Sequence, residues 1–174
     1  MNFILCGLPR CGKTTIGQKL AFELNLSFRD TDRMIEEMYK KKMNMTRTCQ
    51  DIYQLEGSDF FRQIESDAIH SLKGISSTII SSGGGSVLNK DNCVNFKQLG
   101  RVIYLNLNPL LIWKRLLNEK GSSFLINQTE QNFYEMVNER ILIYESIAND
   151  TIKIEHKNVE EIVSEIKTLI QTTK

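Results

Sequence analysis

The sequence predicts an α/β protein built on a doubly wound parallel sheet, and two observations carry that reading. Short apolar runs alternate with longer amphipathic stretches along the 174 residues, the pattern of strands joined by crossover helices. The second is Gly7-Leu8-Pro9-Arg10-Cys11-Gly12-Lys13-Thr14, a G-x-x-x-x-G-K-T phosphate-binding loop between an apolar run and a helix-like one. That context of strand, loop and helix gives the motif its physical meaning.

Taken in order, strands are expected near 2–6, 27–30, 78–82, 102–106 and 151–155. Helices are expected near 14–25, 32–42, 49–55, 59–72, 90–97, 109–118, 131–148 and 158–171. Right-handed crossovers restrict such a chain to a few doubly wound arrangements. Ligands in such sheets bind beyond the carboxyl ends of the strands. The phosphate loop, Asp30-Thr31-Asp32 and Gly83-Gly84-Gly85 each follow a strand candidate, so all three should gather at that edge. Residues 118–131 have weaker periodicity and contain Gly121. They read as a lid closing over the nucleotide and excluding water.

Nothing divides the chain, so residues 1–174 are expected to form a single domain. Hydrophobic content of 41% and a formal charge of +1 suit a soluble protein with no general bias toward nucleic acid or membrane. The apolar residues after Met1 run straight into the loop and do not resemble a signal peptide. Cys6, Cys11, Cys49 and Cys93 show no C-x-x-C spacing, and the histidines are His70 and His156 alone. A reduced, cytoplasmic monomer without a zinc site is expected.

The loop predicts a nucleoside triphosphate as ligand. Backbone N–H groups and the helix N-terminus would hold its phosphates. Lys13 would reach the β- and γ-phosphates, and the Thr14 hydroxyl would ligate Mg²⁺. Asp30 and Asp32 could divide metal positioning and activation of an attacking hydroxyl between them, or Thr31 or Asp30 could merely cap the following helix. Arg62 and Glu65, at i, i+3, form either a surface pair or a guanidinium braced to meet an anion. The triple glycine leaves its backbone bare to close ligand approach. Ser81 and Ser82 stand where phosphate-loop enzymes often carry an acid for Mg²⁺. Arg140 adjoins a core-facing stripe of Ile141, Tyr144 and Ala148. A thiol at a helix N-terminus can be activated, so Cys11 is a candidate for oxidation.

In this order and spacing, Gly7 to Thr15, Asp30-Thr31-Asp32, Gly57 with Phe61-Arg62 and Glu65, the triple glycine, and Glu139-Arg140 with Tyr144 and Ala148 resemble the shikimate kinase family. The resemblance implies a nucleoside-monophosphate-kinase-like fold, with a five-stranded parallel sheet of order 2-3-1-4-5 flanked by helices, and a lid. It implies transfer of the ATP γ-phosphate to the 3-hydroxyl of shikimate with Mg²⁺, on the way to chorismate and the aromatic amino acids. By this resemblance Arg10, Cys11, Gly12, Lys13, Thr14 and Thr15 bind ATP, and Arg115 lies near its adenine. Asp32, Arg62, Gly83, Gly84, Gly85 and Arg140 bind shikimate. Lys13 and Asp32 are catalytic, and Thr14 and Asp30 serve the metal.

The chain departs from the family pattern at two places. Arg10 stands where the family loop usually has glycine. The lid region reads Ser122-Ser123-Phe124-Leu125, without the family's Arg-Pro pair, and Lys120 or Arg10 is the candidate substitute. A gluconate or nucleotide kinase is the alternative enzyme. A catalytically silent nucleotide-binding domain is the alternative outside enzymes.

Overall fold

Among the described residues, thirteen segments of regular structure bring the phosphate-loop motif, Asp30-Thr31-Asp32 and the triple glycine to one edge of a sheet. The computed structural model describes residues 1–118 and 129–172. Strands β1 (Asn2–Cys6), β2 (Ser27–Asp30), β3 (Thr78–Ser81), β4 (Gly100–Asn106) and β5 (Asp150–Lys153) are interleaved with seven α-helices. The helices are α1 (Lys13–Leu24), α2 (Thr31–Met43), α3 (Cys49–His70), α4 (Lys90–Leu99), α5 (Pro109–Asn118), α6 (Glu130–Ile147) and α7 (Val159–Gln171), with a 3₁₀ turn at Ser86–Leu88.

All strand pairings are parallel, in the order β2-β3-β1-β4-β5. This is the order that the family resemblance implies. Every residue of β1 and β3 is buried, because helices cover both faces of the sheet. A near-continuous apolar run is the sequence mark of such a strand. A main core of Ile4, Leu5, Ile80, Ile103, Tyr104 and Tyr144 among others lies against the sheet. A smaller core of Ile35, Tyr39, Ile52, Phe61, Ile64 and Ala68 joins α2 to α3. The helices that carry Asp32 and Arg62 are therefore packed against each other.

The element ends have local causes. Thr48 and Asp51 form a capping box at α3, as Asn158 and Glu161 do at α7, satisfying N–H groups that the helix cannot. Asn25 and Asn44 close α1 and α2 in the left-handed region, where asparagine substitutes for glycine. The sequence suggested two helices, near 49–55 and 59–72. The break between them falls at Gly57, whose φ of 84° and ψ of 174° are not helical and are open to glycine, so α3 is two helical stretches joined at a sharp kink. β4 starts two residues before the expected strand, because Gly100 and Arg101 pair with Asn2 and Phe3.

The expected lid spans both sides of a gap: residues 119–128 lie outside the described residues, while Asn118 ends α5 and Glu130 begins α6. Among the described residues no helix is long and apolar enough to cross a membrane.

The edge of the sheet opposite the ligand loops is tightly closed. Asn2 donates to the carbonyls of Ile75 and Leu99, both at 2.9 Å. A Cβ on Gly100 would lie 2.2 Å from the Asn2 carbonyl oxygen, too close for either backbone to relax without shifting the strand pair. Gly100→Ala is expected to destabilise by about 2–3 kcal/mol, as overpacking does, lowering the melting temperature by roughly 5–10 °C. The folded fraction should keep its affinity for ligands, which bind at the other edge. A melting temperature unchanged in a thermal scan would refute this reading of the β1–β4 contact.

Candidate active site

β1 ends in the phosphate loop, and its backbone is arranged to present N–H groups. Gly12 takes φ 100° as the N-cap of α1, with no side-chain cap and no acidic residue in the first turn. The uncapped helix terminus is therefore open to an anion. A Cβ on Gly7 would meet the Leu105 carbonyl at 2.7 Å, which explains the motif's first glycine. Lys13 is buried and its ammonium donates to the Gly7 and Leu8 carbonyls, both at 2.9 Å. The charge is thus curled over the loop, within reach of whatever the loop holds. Cys11 is buried beside it, its sulfur 3.8 Å from Nζ. Thr15 is exposed at the start of α1.

Arg10 adopts φ 64°. A non-glycine side chain in this left-handed region carries a cost of roughly 1–2 kcal/mol, which accounts for the family's preference for glycine there. Arg115 of α5 donates to the Arg10 carbonyl at 2.8 Å. That bond secures the left-handed turn and sets Arg115 at the mouth of the loop. Lys120 and residues 122–125 lie outside the described residues.

β2 ends at Asp30, which does two things at once. Its Oδ1 accepts from the Asp32 N–H at 3.0 Å, capping α2, and its Oδ2 accepts from the Thr14 hydroxyl at 2.7 Å. Capping and metal positioning, alternatives in the sequence, are compatible in the structure because each uses a different oxygen. The neighbouring Thr31 is fully buried and serves neither purpose. Its hydroxyl accepts from the Gly83 N–H at 2.8 Å and so ties the β2–α2 junction to the glycine turn.

Asp32, in the first turn of α2, is exposed to solvent while its Oδ1 lies against the glycine turn. The surrounding walls and then the Asp30 carboxylate push its pKa up to about 6, while Lys13 pulls the other way. Cys49, from the start of α3, donates its S–H to the Asp32 carbonyl at 3.2 Å. Burial raises that thiol's pKa.

Opposite Asp32, the buried Glu65 accepts from Arg62 at 2.7 Å. Burial raises the Glu65 pKa, against the pull of Arg62 and Arg140. Arg140 projects from α6 into the same cluster. Its pKa is lowered by burial foremost and also by Arg62, against the support of Tyr144, Glu139 and Glu65. Its Nε is buried with no hydrogen-bond partner among the described residues. Arg62 thus pairs with the Glu65 carboxylate, while Arg140 feels that charge without a hydrogen bond to it among the described residues, leaving a surplus of positive charge.

The triple glycine lies between these groups. A Cβ on Gly83 would sit 2.6 Å from Asp32 Oδ1, one on Gly84 2.7 Å from Pro9, and one on Gly85 3.1 Å from the Arg62 guanidinium. Three successive glycines let the turn touch the acid, the phosphate loop and the arginine at once. Ser81 and Ser82 are buried beneath it, and Ser82 Oγ has no hydrogen-bond partner among the described residues.

The structure thus brings Lys13, Thr14, Asp30, Asp32, Arg62, Gly83, Gly84, Gly85 and Arg140 around one cleft, with Arg115 at its mouth. Sequence reasoning missed the roles of Thr31 and Cys49. A buried threonine between two aspartates was the available signal for the first, and Cys49 offered none. The donor set for a metal is a hydroxyl and a carboxylate. Among the described residues no group of three or more His, Cys, Asp or Glu could hold an ion. Such a pair suits Mg²⁺, which takes one or two protein oxygens and completes its shell with phosphate and water.

The family model for shikimate kinase matches residues 9–171. The shikimate kinase of Alkaliphilus oremlandii is 35% identical over 171 residues, covering 95% of this chain and 96% of that protein. Among solved structures, shikimate kinase from Acinetobacter baumannii in complex with shikimate superimposes with a TM-score of 0.86. It is 28% identical, over 99% of this chain and 94% of that one. The Aquifex aeolicus shikimate kinase gives 0.82 at 25% identity, over 98% and 96%.

The raised Asp32 pKa has a consequence for stability. The fold favours the neutral acid, so the stability linked to this group is present below the ordinary carboxylate pKa and lost as pH rises through about 6. Asp32→Asn should therefore melt higher than the parent at pH 7.5 and no higher at pH 3.5. A lower melting temperature for the variant at pH 7.5 would contradict this.

Proposed function

The chain belongs to the shikimate kinase family, and on that premise we propose how its residues divide the ATP-dependent phosphorylation of shikimate. The observation that carries the proposal is the placement of Asp32 and the Arg62–Glu65–Arg140 cluster on either side of the glycine turn, itself pressed against the phosphate loop. A small anionic polyol needs a cationic grip at one end and a carboxylate at the other. The cleft supplies both within one turn of chain.

In this reading the acceptor carboxylate lies against Arg62 and Arg140, and fills the donor capacity that Glu65 leaves over. Its ring hydroxyls meet Asp32 and the backbone of Gly83, Gly84 and Gly85. The donor phosphates lie on the amides of the loop and of Thr14 and Thr15. Lys13 exchanges its bonds to the Gly7 and Leu8 carbonyls for the β- and γ-phosphate oxygens. Asp32 then orients the 3-hydroxyl and accepts its proton as the oxygen bonds to the γ-phosphorus and the bond to ADP breaks. A base with a pKa near 6 is ionised at neutral pH and still basic enough to take a proton.

Thr14 and Asp30 would hold Mg²⁺, which when bound neutralises charge on the phosphates. Arg10 and Lys120 are the candidates for the cation that the lid's missing arginine would otherwise provide. In this reading the enzyme is a cytoplasmic monomer that acts on small molecules, with no nucleic acid or membrane partner.

The proposal is tested by ADP release from Mg-ATP with and without shikimate. Release should depend on shikimate and not on gluconate or a nucleoside monophosphate. kcat/KM should fall as pH falls through about 6, because the base must be ionised. Asp32→Asn should lose at least about 100-fold in kcat, the scale of a positioned acid–base group, with the KM for ATP little changed. Release driven by gluconate instead, or full turnover in the variant, would overturn the assignment.

A further inference from the structure

Tyr144 lies on α6 one turn beyond Arg140, fully buried, with its ring stacked on Tyr104 at 5.1 Å. Residues four apart share a helix face, so Arg140 and Tyr144 address the same region. A buried tyrosine in a core stripe needs no function beyond packing. Its hydroxyl, however, is not spent on the core. It donates to the Gly84 carbonyl at 2.5 Å, across 60 residues of sequence. Burial holds the phenol pKa well above its ordinary value, so the group is a donor at any working pH. Tyr104, stacked beside it, has a buried hydroxyl with no partner among the described residues. Stacking alone therefore does not bring a phenol to this carbonyl.

Among the described residues, this is the hydrogen bond that holds the Gly84 carbonyl. Successive groups of the turn are restrained from behind by side chains. The Gly83 N–H donates to Thr31 Oγ1 at 2.8 Å. The Gly83 carbonyl accepts from the Ser86 hydroxyl at 2.7 Å and from the Ser86 N–H at 3.2 Å. Tyr144 takes the next carbonyl. In a trans peptide the C=O and the following N–H point in opposite directions. Holding the Gly83 and Gly84 carbonyls therefore aims the N–H groups of Gly84 and Gly85 the other way. Glycine has no side chain to restrict its own torsions, so this aim has to be imposed from outside.

We propose that Tyr144 is a positioning residue for the acceptor, its hydroxyl setting the Gly84–Gly85 peptide so that the turn's amides meet the acceptor hydroxyls. The proposal rests on the assignment of the glycine turn to shikimate. Tyr144 does not touch the substrate. It acts through Gly84, and its loss is felt at the acceptor site and not at the phosphate loop.

Tyr144→Phe keeps the ring and its stacking and removes the bond. The variant should raise the KM for shikimate at least fivefold, leave the KM for ATP within twofold, and melt within a few degrees of the parent. A rise of less than threefold in the shikimate KM overturns the proposal whatever happens to kcat. So does an equal rise in both KM values with a large fall in melting temperature, which marks general loosening. Wild-type constants measured alongside test the functional assignment separately, since shikimate-dependent turnover there does not depend on the variant. In wild-type protein, the Gly84 and Gly85 amide resonances should also move on adding shikimate. Unmoved resonances overturn the proposal even if the variant fails to fold.

Discussion

The interaction on which the site depends is the bond between Glu65 and Arg62, made in a place that excludes water from the carboxylate. Without the carboxylate, the guanidiniums of Arg62 and Arg140 would stand together with only each other's repulsion for company. With it, one positive charge is neutralised and the other remains for a ligand. A buried ion pair is a poor source of stability, because desolvation offsets most of its attraction. Its value here is geometric. It sets the angle of one arginine and permits a second to stay close, and among the described residues that second arginine's Nε has no hydrogen-bond partner.

The rest of the molecule holds this cluster at a fixed distance from the phosphate loop. The sheet order brings the ends of β1, β2 and β3 side by side, and hydrogen bonds then join the loops across the gaps. Thr14 bonds to Asp30, Thr31 to the turn at Gly83, and Arg115 to the loop at Arg10. The α2–α3 core fixes Asp32 to the helix that carries Arg62. The arrangement contains two local costs, the left-handed Arg10 and the crowded carboxylates of Asp30 and Asp32. Both lie at the proposed site of phosphate transfer, and functional sites are where natural proteins tolerate strain.

The strands and the phosphate loop were legible in the sequence because their signals are local. Phe3-Ile4-Leu5 is apolar because both faces of β1 are covered, and the glycines and lysine of the loop are dictated by backbone geometry and charge. The gathering of the loops followed from strand order, and the acceptor residues from their family resemblance. Other features depend on a partner distant in sequence. That the Thr31 hydroxyl would reach Gly83, or Cys49 the Asp32 carbonyl, is a matter of how α2, α3 and β3 pack. No spacing announces it. Gly57 was visible as a break between helical stretches, and the structure places the kink between them at that residue. The Arg10 departure could be read, and its physical meaning could not, since a sequence carries no φ.

The central claim is that the Arg62–Arg140 pair exists to hold an acceptor carboxylate. Calorimetric titration with shikimate and with its uncharged methyl ester tests this most directly. A charge-assisted hydrogen bond contributes about 1.5–3 kcal/mol, so removing the negative charge should weaken binding by roughly 10–150-fold. Equal affinity for the acid and the ester would contradict the account.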